Sequence, residues 1–323
     1  MPAATAPRHW VVILAFACVY IIWGSSYLGI SIAIETIPPF LMTGFRFSLA
    51  GIILIGWTLL RGATLPGWRQ WRAALIAGGL LFLFNNGLIV LAELVDVPTG
   101  MIALLIATTP MWMVIVTTLN GTIRPNRMTV LGLVMGSLGI VLLVDLNGAL
   151  NGEGLVLLGM IAVVIAALFW SLGSLYARSA DLPANTMLST GMQLLCGGLL
   201  QFGLAAFTGD FARLDFDAIS TRSLVAMFYL MIFASIIAFT AFTWLMRNVS
   251  PALVATYAYV NPVIAVLLGA VILDEPLTLR IVIAGSIIIA AVVVISRGTA
   301  GGKRGDNLME AIEDAPSVMP EAV

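Results

Sequence analysis

Charged residues are scarce in this 323-residue chain, where they make up 10% of the sequence against 61% hydrophobic residues. A soluble domain carries about 25% charged and about 45–50% apolar residues. The mean hydropathy of +1.08 points the same way. This composition excludes a soluble globule and indicates a polytopic membrane protein. The net charge of −1 and the lack of a basic stripe give no indication of a nucleic-acid partner.

Groups that serve catalysis or metal binding are scarce as well. The single histidine, His9, lies outside the apolar spans, so no histidine-based triad can form within them. Cys18 and Cys196 both fall inside apolar spans and predict neither a disulfide framework nor a metal site. The stretch Gly301-Gly302-Lys303 lacks the spacing and the following Ser or Thr of a phosphate-binding loop. We therefore expect neither an enzyme nor an ATP-driven pump, and no cofactor.

Long apolar runs are abundant, and windows of about 20 such residues predict ten membrane-spanning helices. The first run is too long for a signal-peptide core, so we expect it to be retained as a span. The polar and acidic residues 299–323 are expected to form a disordered cytoplasmic tail. The approximate spans are 10–33, 39–60, 73–95, 98–119, 127–145, 154–177, 184–208, 222–246, 251–273 and 279–297.

The placement of basic residues predicts how these spans are oriented. Of the fifteen Arg and Lys residues, eleven lie on the side of the N-terminus, three lie on the opposite side, and Arg46 lies within a span. Basic residues concentrate in cytoplasmic loops, so both termini are predicted to be cytoplasmic.

The two halves of the chain share a pattern of proline, glycine and turn residues. Residues 251–276 interrupt an apolar run at Asn261-Pro262, and residues 98–125 do so at Thr109-Pro110. Two copies of five spans each, over residues 10–146 and 152–298, would insert in opposite directions because five is odd. That inverted arrangement is found in many secondary transporters. The alternative is chance self-similarity, since Gly and Pro are common in membrane helices.

Six stretches carry a resemblance to a known family: YIIWGSSYLGI (20–30), PPFLMTGFRFSLAGIIL (38–54), NGLIVLAELVDVPTG (86–100), ATTPMW (107–112), RNVSPALVATYAYVNPVIAVLLG (247–269) and DEP (274–276). In this order and spacing the sequence resembles the EamA-domain family of the drug/metabolite transporter superfamily, in particular YedA-type bacterial inner-membrane exporters. The resemblance implies an all-α protein of ten transmembrane helices in two inverted five-helix repeats. It also implies export of small metabolites or drugs without ATP, and it does not give the substrate.

Polar and aromatic residues near the predicted midplane are candidates for lining a solute cavity. Polar groups at this depth normally face the bundle interior or a watery cavity. Aromatic rings beside amides suit amino-acid-like, aromatic or amphipathic solutes. The alternative is that these polar groups only join helices to each other. The candidates are Trp23, Ser25, Tyr27, Asn85, Asn86, Thr108, Trp112, Trp170, Tyr257, Tyr259 and Asn261.

Arg46 is the basic residue within a span, and Glu93 is its expected partner, because an unpaired charge at depth costs about 3 kcal/mol or more. We interpret them as a structural ion pair, with substrate binding or proton coupling as the alternative. Pro110 and Pro262 are predicted to kink or gate their helices. The motif 132–136, Gly-xxx-Gly, predicts close helix packing or a homodimer contact.

The sequence thus predicts a secondary transporter of the bacterial inner membrane that moves a small-molecule substrate by alternating access around a midplane cavity. A non-carrier membrane protein, either a channel or a helical scaffold with a purely structural polar midplane, is the alternative.

Overall fold

The computed structural model describes residues 9–121, 126–143, 154–249, 254 and 257–313, and the regular structure in these ranges is helical throughout. A one-turn helix, Asp210–Arg213, follows α7. The main helices are α1 His9–Ile34, α2 Pro39–Leu60, α3 Trp68–Glu93, α4 Thr99–Leu119, α5 Arg127–Leu143, α6 Gly154–Ser179, α7 Thr186–Thr208, α8 Thr221–Asn248, α9 Tyr257–Ile272 and α10 Leu279–Glu313.

Within the described ranges, seven helices are long and apolar enough to cross a membrane: α1 to α4 and α6 to α8. Three shorter apolar helices, Arg127–Leu143, Val260–Ile272 and Leu279–Ile295, correspond to the other three predicted spans. The prediction of an all-helical, polytopic membrane protein is confirmed, and the count of ten spans stays a prediction. α10 continues to Glu313, past the predicted last span, and the mobility of residues 299–323 also stays a prediction. The predicted repeat boundaries at residues 146 and 152 lie outside the described residues.

Helices from the two halves of the chain pack against each other in matching pairs. α2 packs along α7 and α5 packs along α10. α1 lies against α8 and α9, while α6 lies against α3 and α4. Each of these contacts joins a helix of the first half to a helix of the second half, so the core is shared between the halves.

Glycines allow the closest of these approaches. A Cβ on Gly132 would lie 2.9 Å from the carbonyl oxygen of Ala291, and one on Gly139 would lie 2.7 Å from Cγ1 of Ile288. Both neighbours belong to α10. The Gly132-xxx-Gly136 motif therefore contributes to packing within the chain, as predicted. A homodimer stays a prediction.

Three helices depart from regular α-helical geometry near their middle. α3 contains the π-helical segment Gly79–Asn86, and α8 contains the π-helical segment Leu230–Ala238. α4 is interrupted at Ala107 and Thr108 and resumes as Thr109–Leu119, with Pro110 at the start of the second part. Proline is favoured there because its missing N–H needs no partner in the first turn of a helix. α9 continues through Pro262, which lies inside it.

The start of α2 is held by Asp210, which lies between α7 and α8 in the sequence. Gly209 ends α7 with a φ of 78°, a left-handed conformation suited to glycine. The next residue, Asp210, is buried, and its Oδ2 accepts a hydrogen bond from the backbone N–H of Phe40 at 2.8 Å. This amide is one of those that a helix start leaves without an internal partner.

Replacing Asp210 with alanine is expected to lower the free energy of unfolding by about 1–3 kcal/mol, because the Phe40 amide loses its acceptor in a buried place. The matched control is Asp217→Ala in the same loop, where the side chain is exposed. Denaturant titration of both variants in detergent checks this. Equal stability of the two variants would show that the cap contributes nothing.

Candidate solute cavity

An internal cavity lies between helices of both halves of the chain. Its empty space is about 650 Å³, including the part open to solvent. α1, α2, α3 and α4 contribute from the first half, and α6, α8 and α9 contribute from the second half. The sequence-predicted residues that the structure brings together in its wall are Trp23, Tyr27, Arg46, Asn85, Asn86, Trp170, Tyr257 and Asn261.

Trp23 is the centre of an aromatic cluster at one side of the cavity. Its ring centroid lies 5.4 Å from that of Trp170 and 5.6 Å from that of Tyr257, both in edge-to-face geometry. Phe242 lies 5.0 Å away, and the Trp23 indole Nε1 donates a hydrogen bond to the carbonyl oxygen of Ala234 at 3.3 Å. Such pairs stabilise each other beyond simple packing. The cluster therefore forms a fixed apolar wall that joins α1, α6, α8 and α9.

Asparagine amides supply much of the polar wall. Asn85 lies in the π-helical segment of α3, and its Nδ2 donates to the carbonyl oxygen of Ala166 at 2.9 Å. Asn261 places its amide nitrogen 3.1 Å from the carbonyl oxygen of Tyr20 and 3.2 Å from that of Tyr257. These two asparagines join neighbouring helices and also line the cavity. The sequence left cavity lining and helix joining as alternatives, and in the structure the same residues do both.

The interrupted part of α4 and the proline-containing part of α9 are each hydrogen-bonded to the first helix of the other half. Ser171 on α6 donates from Oγ to the carbonyl oxygen of Thr109 on α4 at 3.0 Å. Asn261 on α9 donates to Tyr20 on α1. Ser171 and Asn261 thus each place a side-chain donor on a backbone carbonyl of a neighbouring helix, which satisfies their polar groups in a lipid environment. These contacts tie α4 to α6 and α9 to α1 beside the cavity.

The Arg46 guanidinium is buried in the cavity wall, with 6% of the residue exposed. Its Nε donates a hydrogen bond to Oγ of Ser235 at 2.9 Å, and its carbon Cζ lies 4.6 Å from the ring centroid of Phe47. Nη1 is buried and has no hydrogen-bond partner among the residues that the structure describes. The hydroxyl of Ser235 carries no charge, so the positive charge of Arg46 has no counter-charge in these contacts.

The predicted ion pair between Arg46 and Glu93 is not formed in the part of the chain that the structure describes. Glu93 is the last residue of α3 and lies seven residues beyond Asn86, about 10 Å along the helix. Its carboxylate therefore lies beyond the level at which Asn86 lines the cavity with Arg46. Glu93 is buried, and its Oε1 has no hydrogen-bond partner among the described residues.

Several predicted site residues lie outside the cavity wall. Ser25 donates to the carbonyl oxygens of its own helix and lies 2.6 Å from the hydroxyl of Tyr229. Thr108 is buried at the interruption of α4, where it donates to the carbonyl oxygen of Leu105 at 2.6 Å. Trp112, Pro110 and Pro262 do not contribute to the wall either. The side chain of Tyr259 lies outside the described residues, and a gating role of the two prolines stays a prediction.

Sequence reasoning missed part of the wall. Ser235 could have been predicted as a lining residue, because it is the single polar residue of the apolar segment LMIFASIIA, 230–238. The others are apolar residues without a distinguishing pattern in the sequence. They are Ile30, Phe47, Phe82, Ile89, Ile106, Ala234 and Phe239.

The wall offers no cluster of metal ligands. Within the described ranges, no group of three or more His, Cys, Asp or Glu residues is placed to hold a metal ion. Arg46 is the charged side chain among the described residues that line the cavity. The arrangement therefore provides rings, amides, hydroxyls and one cation for contact with a small molecule.

Comparison with known proteins identifies the family. The pattern of the EamA-like transporter family matches residues 10–145 and 157–297. The inner membrane transporter YedA of Escherichia coli (strain K12) is 37% identical over 285 residues, which cover 88% of this chain and 90% of YedA. Protein PecM of Dickeya dadantii (strain 3937) is 29% identical and covers 85% of this chain. A protein of known crystal structure, 23% identical, has the same fold with a TM-score of 0.64 over 90% of this chain and 98% of its own.

The family pattern covers both halves of the chain, and the cavity lies between those halves. This protein belongs to the EamA-like transporter family.

Proposed function

We propose that this protein is a secondary transporter of the bacterial inner membrane that exports small solutes by alternating access. The observation that carries the proposal is the cavity, which is walled by helices of both halves at mid-depth. Ligand sites of secondary transporters commonly lie near the midplane between structural repeats and beside interrupted helices. The irregular points of α3, α4 and α8 adjoin this cavity in the same way.

Two further observations support a pair of inverted five-helix repeats. Trp23 and Trp170, which occupy matching places in the first helix of each half, contact each other edge to face in the cavity wall, with ring centroids 5.4 Å apart. The π-helical segments occur in α3 and α8, the third helix of each half. Such segments are rare and are often found at functional sites. Two repeats of five spans make ten, and because ten is even both termini would lie on the same side of the membrane, which we propose is the cytoplasm.

The wall composition bears on how transport would be driven. Among the described lining residues there is no carboxylate that could carry a proton through the cavity. We therefore expect exchange or facilitated diffusion along a solute gradient, without an obligatory carboxylate relay.

The test uses purified protein in liposomes loaded with a bacterial metabolite extract, with efflux followed by mass spectrometry. We expect release of a defined set of solutes that is accelerated when the same solute is present outside, as a carrier requires. Ile106→Trp, which places a much larger side chain in the cavity wall, should reduce this flux at least tenfold. Leu119→Trp is the matched control, because Leu119 lies at the exposed end of the same helix.

The outcomes separate the candidate functions. Flux that is not accelerated by external solute would indicate a channel. No protein-dependent flux would indicate a scaffold whose polar midplane is structural. Equal flux in Ile106→Trp and in the wild type would show that this cavity is not the route.

Orientation needs a separate measurement. After replacement of Cys18 and Cys196 with serine, single cysteines are introduced as Asp215→Cys and Val323→Cys and treated in intact cells with a membrane-impermeant maleimide. We expect the residue-215 variant to react and the residue-323 variant to react only after the membrane is opened. Reaction of both in intact cells would exclude the inverted topology.

A further inference from the structure

We infer that Arg46 and Ser235 form a subsite for an anionic group, a carboxylate in the first instance, of the solute that occupies the cavity. The aromatic cluster around Trp23 would then hold the apolar or aromatic body of the same solute. This inference rests on the proposed function, because it names the class of solute that the carrier moves.

The first step of the argument is the unmet charge of Arg46. The residue is buried, its Nε is bonded to the neutral hydroxyl of Ser235, and its Nη1 has no partner in the part of the chain that the structure describes. A buried charge is costly unless it is paired, and buried guanidinium groups are normally paired with an anion. The lining residues among those described include no carboxylate that could serve. A bound solute is therefore the source of the missing anion.

The second step is the geometry of the guanidinium group. It presents N–H donors in a planar fork that matches the two oxygens of a carboxylate. Ser235 accepts from Nε and thereby fixes the side chain on one edge, while the buried Nη1 has no partner among the described residues. Ser235 itself is held by donating to the carbonyl oxygen of Leu230 at 3.2 Å. The cation is thus positioned before a ligand arrives, which lowers the entropic cost of binding.

The third step concerns a solute that carries a positive charge. A cationic solute in this cavity would meet the positive charge of Arg46 at close range, with no carboxylate in the described wall to offset it. The indole and phenol rings could contact a cation, but such a contact gives only about 0.5–2 kcal/mol. The cavity therefore discriminates in favour of anions and against lipophilic amines.

The experiment uses three probes with the same phenyl ring and three-carbon chain: 3-phenylpropanoate, 3-phenylpropanamide and 3-phenylpropylamine. Binding to the purified full-length protein in detergent is measured by isothermal calorimetry. We expect the wild type to bind the carboxylate most tightly and the amine least tightly. Arg46→Gln should weaken carboxylate binding by about 10- to 100-fold, the range for a lost hydrogen bond to a charged group, and leave amide binding nearly unchanged.

Matched variants keep the result interpretable. Arg61→Gln makes the same substitution on the same helix at an exposed position beside Trp57, and it should bind all three probes as the wild type does. Arg46→Lys keeps the charge without the planar fork and should retain part of the preference. If Arg46→Gln does not yield monodisperse protein, Ser235→Ala removes only the neutral anchor and should weaken carboxylate binding several-fold more than amide binding.

Three results would overturn the subsite: equal affinity of the wild type for carboxylate and amide, binding of none of the probes, or Ser235→Ala and Arg46→Gln variants with unchanged preference. Flux of the same probes in liposomes is measured separately. Carboxylate binding that depends on Arg46, without any flux, supports the subsite and refutes the carrier. Flux that shows no preference for the carboxylate refutes the subsite and leaves the carrier in place.

Discussion

Gly198→Leu is expected to abolish accumulation of folded protein in the membrane. Gly198 lies on α7 where this helix packs along α2, and a Cβ at this position would lie 2.5 Å from the backbone nitrogen of Ser48 and 3.0 Å from the carbonyl oxygen of Gly44. Both neighbours are backbone atoms, so no side-chain rotation can make room. Even Gly198→Ala should lower the free energy of unfolding by about 1–3 kcal/mol, the usual effect of overpacking.

The measurement is the yield of monodisperse protein on size-exclusion chromatography, followed by thermal unfolding. Gly203→Leu is the matched control, because Gly203 lies on the same helix with open space around it. Membrane helices associate largely through close packing, since lipid tails compete equally for apolar side chains. Folded Gly198→Leu protein with wild-type stability would show that α2 and α7 do not depend on this contact.

Trp23→Ala is expected to lower the free energy of unfolding by about 3 kcal/mol, the lower end of the range for a core aromatic side chain, because Trp23 is partly buried. The indole contacts Trp170, Tyr257 and Phe242, so its removal opens a gap between four helices at once. Trp23→Phe keeps a ring in place but loses the hydrogen bond to the carbonyl oxygen of Ala234, which should cost only about 1 kcal/mol.

Denaturant titration in detergent, monitored by far-UV circular dichroism, ranks these variants by their free energy of unfolding. Trp10→Ala is the control on the same helix, because 59% of Trp10 is exposed. We expect this variant to unfold close to the wild type. If Trp23→Ala were as stable as Trp10→Ala, the aromatic cluster would not be holding the halves together.

The helices and their membrane character could be predicted from the sequence, because a run of about 20 apolar residues is typical of a membrane-spanning helix. The predicted span 10–33 corresponds to His9–Ile34, and the predicted span 39–60 corresponds to Pro39–Leu60. The interruption of α4 could be read only approximately. Pro110 signals a break, but the irregular residues are Ala107 and Thr108, because a proline is best accommodated at the start of the second segment.

The site was harder to predict because a sequence gives depth along a helix but not the direction of a side chain. Asn85 and Tyr257 were singled out by their polar groups at mid-depth, and both face the cavity. Ser25 has the same depth and chemistry but faces Tyr229 instead. The pairing of Arg46 with Glu93 rested on charge alone, whereas the neutral Ser235 lies at the correct height on a neighbouring helix.

The π-helical segments of α3 and α8 have a mechanical consequence. Each holds more residues per turn than the α-helix on either side of it. Moving such a segment by one residue along the helix changes the register of only the residues that it passes, which rotate by about 100° and advance by about 1.5 Å, while the helix on either side keeps its position. Asn85, Asn86 and Ser235 lie inside these segments. The same small slip would therefore withdraw their polar groups from the wall while the lipid-facing ends of both helices stay anchored.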